Sequence, residues 1–218
     1  MGELILIRHG QASFGTDDYD RLSPLGFEQA HYLGKYFAER GIEFQRVVSG
    51  TLRRHRETLQ GTGLGVEPEL LPSLDEFDFF GLVKIFLQQN PDYGPVDFGN
   101  VREFFLALRK ALPLWSEGGI DNPPESWESF QARIRDSLKA LIATDVERVL
   151  VVSSGGPISA LLREVLQLSV RNMMDINLQT ANTSITRLHF KNGKARLQSF
   201  NGIPHLDHPS TSALITLT

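Results

Sequence analysis

The sequence predicts a three-layer α/β/α sandwich on a mostly parallel sheet with a hairpin at one edge. Three observations predict it. Short runs at 4–7, 46–49 and 149–152, apolar throughout or, at Val47-Val48, at their centre, read as strands covered on both faces. Segments with helical periodicity and helix-start signals separate these runs. Late in the chain, two alternating segments at 185–190 and 195–200 flank Asn192-Gly193, a two-residue hairpin signal.

The first strand breaks off into Arg8, His9 and Gly10, and a polar loop at 11–21 follows. Ser23 and Pro24 open a helix, with Ser as the cap and Pro at its favoured first position. Phe27, Ala30, Leu33, Tyr36 and Phe37 recur at helical spacing up to Gly41, a C-terminal stop. The strand at 46–49 ends at Gly50, and the next helix starts near Thr51. Residues 77–122 mix Phe-rich stretches with Gly, Pro and Asn turns around a helix at 101–115. They carry too many aromatics for a solvated tether, so they read as an inserted, cap-like segment of one domain spanning 1–218. Ser126 caps a long helix that ends near Thr144. The strand at 149–152 runs into a Ser153-Ser154-Gly155-Gly156-Pro157 loop, and a helix at 158–168 follows.

Composition removes several classes of function. The 218 residues carry a formal charge of −4 and no cysteine. No basic face for nucleic acid is implied, and disulfides, thiolate metal sites and cysteine nucleophiles are excluded. No stretch approaches the roughly 20 apolar residues of a membrane span, and no signal-peptide pattern precedes the first strand. The expectation is a cytoplasmic protein without membrane or nucleic-acid partners. Nothing in the sequence sets an oligomeric state.

Parallel strands present their C-terminal ends on one side of a sheet, where ligands bind. The first strand brings Arg8 and His9 there, the second leads to Arg53, Arg54, His55 and Arg56, and the third supplies Ser153, Ser154 and two glycines. An imidazole among guanidinium groups and a helix N-terminus fits a phosphoryl group, whose oxygens need several donors.

Six segments carry a family likeness. They are Leu6-Ile7-Arg8-His9-Gly10-Gln11-Ala12, Leu22-Ser23-Pro24-Leu25-Gly26 with Gln29-Ala30, and Ser49-Gly50-Thr51-Leu52-Arg53-Arg54 with Thr58. Leu74-Asp75-Glu76-Phe77-Asp78-Phe79, Pro124-Glu125-Ser126 with Arg133, and Val151-Val152-Ser153-Ser154-Gly155-Gly156 complete the series. In this order, over nearly the whole chain, they resemble the histidine phosphatase superfamily, also called phosphoglycerate mutase-like. The resemblance implies the phosphoglycerate mutase-like fold and phosphoryl transfer through a phosphohistidine on His9. It implies Glu76 as general acid and then base, with Arg8 and Arg54 among the catalytic groups. Counting back from Thr58 selects Arg54 over Arg53. Arg8, Gln11, Arg54, Ser154 and Gly155 would hold the phosphate, with no metal or other cofactor required.

The favoured activity is hydrolysis of a small phosphomonoester. The chain is shorter than the mutases it resembles and lacks a clear counterpart of their extra substrate-binding segment. A mutase-type transferase remains an alternative. A second alternative is a weakly active or non-catalytic phospho-ligand binding protein, because Ser154 stands where the family carries a second histidine. A serine hydroxyl donates a hydrogen bond but brings no charge, and His55 and His205 are the candidates to supply it. In the 77–122 segment, Lys84, Arg102, Arg109 and Lys110 are candidates to meet a second anionic group.

Overall fold

The computed structural model describes residues 1–13 and 20–217, so positions 14–19 of the expected 11–21 loop lie outside the described residues. Six strands among the described residues form one sheet. They are β1 (Gly2–Arg8), β2 (Arg46–Ser49), β3 (Glu69–Leu70), β4 (Arg148–Ser153), β5 (Ile185–Lys191) and β6 (Lys194–Gly202), in the order β3-β2-β4-β1-β5-β6. β1 to β4 pair in parallel, and β5 and β6 add an antiparallel hairpin at one edge. Asn192 and Gly193 turn that hairpin at φ 51° and 71°, the left-handed values a two-residue turn of this type requires.

Alternation along the central strands sends side chains to both faces. Ile5, Ile7, Leu150 and Val152 pack against Leu33 and Phe37 of α1 (Pro24–Glu39) and Leu59 of α2 (Arg53–Gly61). Leu4, Leu6, Val149 and Val151 face the larger layer. That layer comprises α3 (Phe79–Gln89), α4 (Val101–Ser116), α5 (Trp127–Ile142), α6 (Gly155–Leu166) and α7 (Val170–Gln179). Two covered faces explain why the strands read as continuous apolar runs. Among the described residues no helix is long and apolar enough to cross a membrane.

The 77–122 segment holds α3, a 3-10 turn over Pro91–Tyr93, and α4. Phe77 packs on Trp115 and Phe130, with ring centroids 5.0 and 5.4 Å away, so its aromatics join the core of the larger layer. Asp78 caps α3 by accepting from the Gly81 N–H at 2.8 Å. The expectation of a glycine loop before a helix at 158–168 is corrected: α6 begins at Gly155, so Gly155 and Gly156 form its first turn. Glycine stands there because neighbouring side chains occupy the space a Cβ would need.

β1 and β4 are in register from Glu3 opposite Arg148 to Arg8 opposite Ser153, while Ser49 of β2 pairs with Val152. Three strands therefore end side by side. The loops leaving them lead to His9, to α2 and to α6.

Candidate active site

His9 follows the last residue of β1 and is buried. Its Nδ1 lies 2.7 Å from the Gly10 carbonyl oxygen, which only accepts, so Nδ1 carries the hydrogen and Nε2 keeps its lone pair. Burial holds the imidazole well below its usual range, and the charges of Arg54 and Arg8 push the same way. A neutral ring with an open Nε2 has the lone pair that nucleophilic attack requires.

The motif residues around His9 fix its loop. The Gly10 N–H donates to Thr58 Oγ1 (2.9 Å), whose hydroxyl donates to the Arg54 carbonyl (2.7 Å), so α2 grips the end of β1. A Cβ on Gly10 would stand 2.5 Å from the Gly26 carbonyl oxygen, which explains glycine where that loop crosses the start of α1. Gln29 is fully buried beneath the site. Its side chain accepts from the Gln11 N–H (2.8 Å) and donates to Leu214 O (2.6 Å) and Thr216 Oγ1 (2.8 Å), tying the C-terminal segment to the loop.

Two arginines converge beside the imidazole. Arg8 donates to the carbonyl oxygens of Thr180 and, at 2.8 Å, of Leu217. Arg54, near the start of α2, is buried, with Nη1 2.8 Å from Asp20 Oδ1 and Nη2 3.5 Å from Ser154 Oγ. Arg53 instead pairs with Glu57 at 2.6 Å and Arg56 is exposed. The helical turn from Thr58 back to Arg54 is what directs Arg54 alone among the three inward.

Glu76 follows the 3-10 turn over Pro72–Leu74 and lies against the start of α6, where the Gly156 N–H donates to Oε2 at 3.1 Å. Burial pushes its carboxyl above the usual range, against the opposing pull of that N–H and of Arg54 and Arg8. A Cβ on Gly156 would come 2.1 Å from Glu76 Oε1. Behind this segment, Arg133 of α5 grips both carboxylate oxygens of Glu125 (2.7 and 2.9 Å) and donates to the carbonyls of Ser73 and Asp75 (2.7 and 2.8 Å). The Pro-Glu-Ser motif thus acts as a brace for the acidic one.

Ser154 is fully buried at the N-cap position of α6, yet its hydroxyl makes no capping hydrogen bond. It lies instead 2.7 Å from His55 Nε2. The His55 and His9 rings are 5.7 Å apart. His205 stands elsewhere: its Nε2 meets Thr183 Oγ1 at 2.9 Å and its ring faces Tyr36 of α1. Of the two histidines expected near Ser154, the structure brings in His55 and not His205. The Gln11 side-chain oxygen is held by the Ser23 hydroxyl at 2.8 Å. Lys84, Arg102, Arg109 and Lys110 are exposed on α3 and α4, with Arg109 3.4 Å from Asp175.

Sequence reasoning missed Asn177. A Cβ on Gly155 would stand 2.3 Å from its Oδ1, so glycine here admits the Asn177 side chain. Asn177 belongs to α7, a polar helix with no sequence motif to mark it. Among the described residues no three His, Cys, Asp or Glu side chains gather as a metal-holding cluster.

Comparison with known proteins places this architecture. A candidate phosphoserine phosphatase of Hydrogenobacter thermophilus is 24% identical over 221 residues, covering 94% of this chain and 98% of that one. A 2,3-bisphosphoglycerate-dependent phosphoglycerate mutase of Rhizobium johnstonii is 28% identical over 205 residues, 86% of this chain and 90% of the mutase. The crystal structure of mycobacterial glucosyl-3-phosphoglycerate phosphatase with inorganic phosphate superposes with a TM-score of 0.65 at 26% identity, over 93% of this chain and 98% of that one. The model of branch 1 of the histidine phosphatase superfamily matches residues 4–202, and the chain belongs to that family.

Proposed function

We propose that this phosphomonoester hydrolase works in two steps through a phosphohistidine on His9. Arg8, Arg54 and Ser154 bind the phosphoryl oxygens of a small phosphomonoester. His9 Nε2 attacks phosphorus while Glu76, protonated, gives its proton to the leaving oxygen. Glu76, now a carboxylate, takes a proton from the incoming water, which displaces His9 and releases phosphate. Arg8 and Arg54 meet the charge on the transferring group. The 77–122 segment, which begins next to Glu76, acts as the cap that faces the leaving group.

The observation that carries this reading is the state of His9. It is neutral, its Nδ1–H is locked to the Gly10 carbonyl, and it stands under the charges of Arg8 and Arg54. A histidine serving only as a polar cap needs neither neighbour.

Rapid-quench labelling with phosphoserine tests it. Wild type is expected to yield an acid-labile phosphoenzyme and free phosphate, and His9→Ala neither. Label on His9 that passes to a second hydroxyl instead of water would make the protein a mutase. Phosphate binding without turnover in either protein would make it a binding protein.

A further inference from the structure

Ser154 occupies a helix N-cap without capping, and His55 is fully buried with no hydrogen-bond partner at Nδ1. The two side chains face each other at 2.7 Å. On the far side of the ring, Nδ1 lies 3.7 Å from Asp75 Oδ1, within ion-pair reach but too far for a hydrogen bond. Asp75 is itself anchored by the Thr51 N–H (2.6 Å), the Leu52 N–H (3.3 Å) and the Thr51 hydroxyl. The backbone makes room for the pair, since a Cβ on Gly50 would come 2.2 Å from His55 Nδ1 and 2.7 Å from Asp75 Oδ1. Asp75, His55 and Ser154 therefore stand in line, from an anchored carboxylate to a hydroxyl beside Arg54.

We infer that this line is a proton relay opening onto the phosphoryl site, with Ser154 touching the substrate and His55 as the positioning residue behind it. The inference rests on the reading that phosphate binds beside His9. A carboxylate facing Nδ1 favours the hydrogen on that nitrogen, so Nε2 accepts the Ser154 hydroxyl proton in the empty site. The second ionisation of a phosphomonoester has a pKa near 6, so part of the substrate arrives with one proton. As that P–OH meets Ser154, its proton moves to Ser154 Oγ while the original hydroxyl proton moves to His55 Nε2. One proton leaves the ester, one arrives on the imidazole, and no bond to phosphorus changes. The result is a phosphoryl dianion accepting from the Ser154 hydroxyl, with an imidazolium between that hydroxyl and Asp75. Ser154 then donates with a positive charge behind it.

The groups facing His55 set the direction of this transfer. Arg54 on its own helix and burial both oppose protonation in the empty site, and the His9 ring stands 5.7 Å away. Asp75 favours protonation, and the bound dianion adds the negative charge the empty site lacks. His9 cannot take the proton as readily, because its Nδ1–H faces a neutral carbonyl.

The test is 15N NMR of protein labelled in its imidazoles, free and saturated with inorganic phosphate at pH 7.5, with His55 assigned from His55→Gln. His55 is expected to pass from one protonated nitrogen to two on phosphate binding, and Ser154→Ala is expected to abolish the change. A His55 that stays neutral in the saturated wild-type complex overturns the relay. In p-nitrophenyl phosphate turnover, Ser154→Ala and His55→Gln should each lower kcat by about 10²-fold, and the double variant no further than the worse single. Multiplying losses would mean that the two residues act separately and would also overturn it. His9→Ala separates the two readings. If it keeps turnover, the phosphohistidine reading fails, whereas the relay is judged by His55 protonation in the same variant.

Discussion

At the scale of single residues, the proposed chemistry rests on two buried titratable groups with opposite displacements. His9 is held neutral and Glu76 is held protonated to higher pH than an exposed carboxyl, mainly by the same cause, burial. In the proposed mechanism this pairing separates the roles of nucleophile and acid. An alkoxide leaving group needs Glu76's proton far more than p-nitrophenolate does. Glu76→Gln should therefore lower kcat about 10²–10³-fold on phosphoserine and by much less on p-nitrophenyl phosphate. With phosphoserine, wild-type kcat should fall as pH rises through the raised Glu76 value, and the variant should lack that limb. Equal losses on both substrates would remove Glu76 as the acid. Arg8 and His9 were legible at a strand end, whereas Arg54 and Glu76 were legible only through the family motifs that carry them. The Arg54–Asp20 pair, the Asp75 contact with His55, and Asn177 were not legible, because they join segments far apart in the chain and follow from no local pattern.

At the scale of elements, the start of α6 does more than present a helix N-terminus. Its first turn must approach Glu76 so closely that only glycine fits at Gly156. Gly156→Ala would place a methyl 2.1 Å from Glu76 Oε1 and 2.9 Å from Cε1 of Phe77, a buried ring packed on Trp115 and Phe130. The expected result is a lowered melting temperature as the Phe77 ring is pushed, and a kcat loss of about 10²-fold per folded molecule as Glu76 is displaced. A large loss of stability with unchanged kcat per folded molecule would contradict it. The brace from α5 acts differently. Arg133→Met removes four hydrogen bonds, leaves the carbonyls of Ser73 and Asp75 without that donor, and leaves Glu125 only the long contact from the Ser129 hydroxyl. This should destabilise the fold by about 2 kcal/mol or more in urea and lower turnover by loosening the 73–76 segment. Elements with a strong period or cap were readable, including β1, β2, β4, α1, α4, α5 and the hairpin. β3 has only two residues, α7 is largely polar, and two glycines in its first turn disguised the start of α6 as loop.

At the scale of the whole molecule, buried titratable groups impose a pH dependence on folding. His9, His55 and His205 are all buried and held below their usual 6.5, His205 at about 4, and for each the leading cause is burial. The unfolded chain protonates all three near 6.5 while the folded chain resists. Below that pH the unfolded state binds more protons, so the stability present above 6.5 is lost progressively as pH falls toward the folded values. Each histidine contributes a slope of up to about 1.4 kcal/mol per pH unit within its window. Glu3 acts in the same sense further down. Burial opposes its ionisation, but Arg148 and Arg187 hold its pKa below 4.5, so it too costs stability as acid is added. Glu76 runs the other way, binding a proton in the folded state at a pH where the unfolded carboxyl has lost it. Three histidines outweigh one carboxyl between pH 6.5 and 5, so urea midpoints should drop steadily across that interval and change little between 7 and 8. His205 offers the cleanest check, since it stands apart from Ser154 and among the described residues its side chain hydrogen-bonds to Thr183 alone. His205→Gln retains a polar partner for that hydroxyl and should flatten the slope by about one proton between pH 6.5 and 4, while leaving turnover at pH 7.5 near wild type. A slope equal to wild type would show that His205 titrates freely in the folded protein.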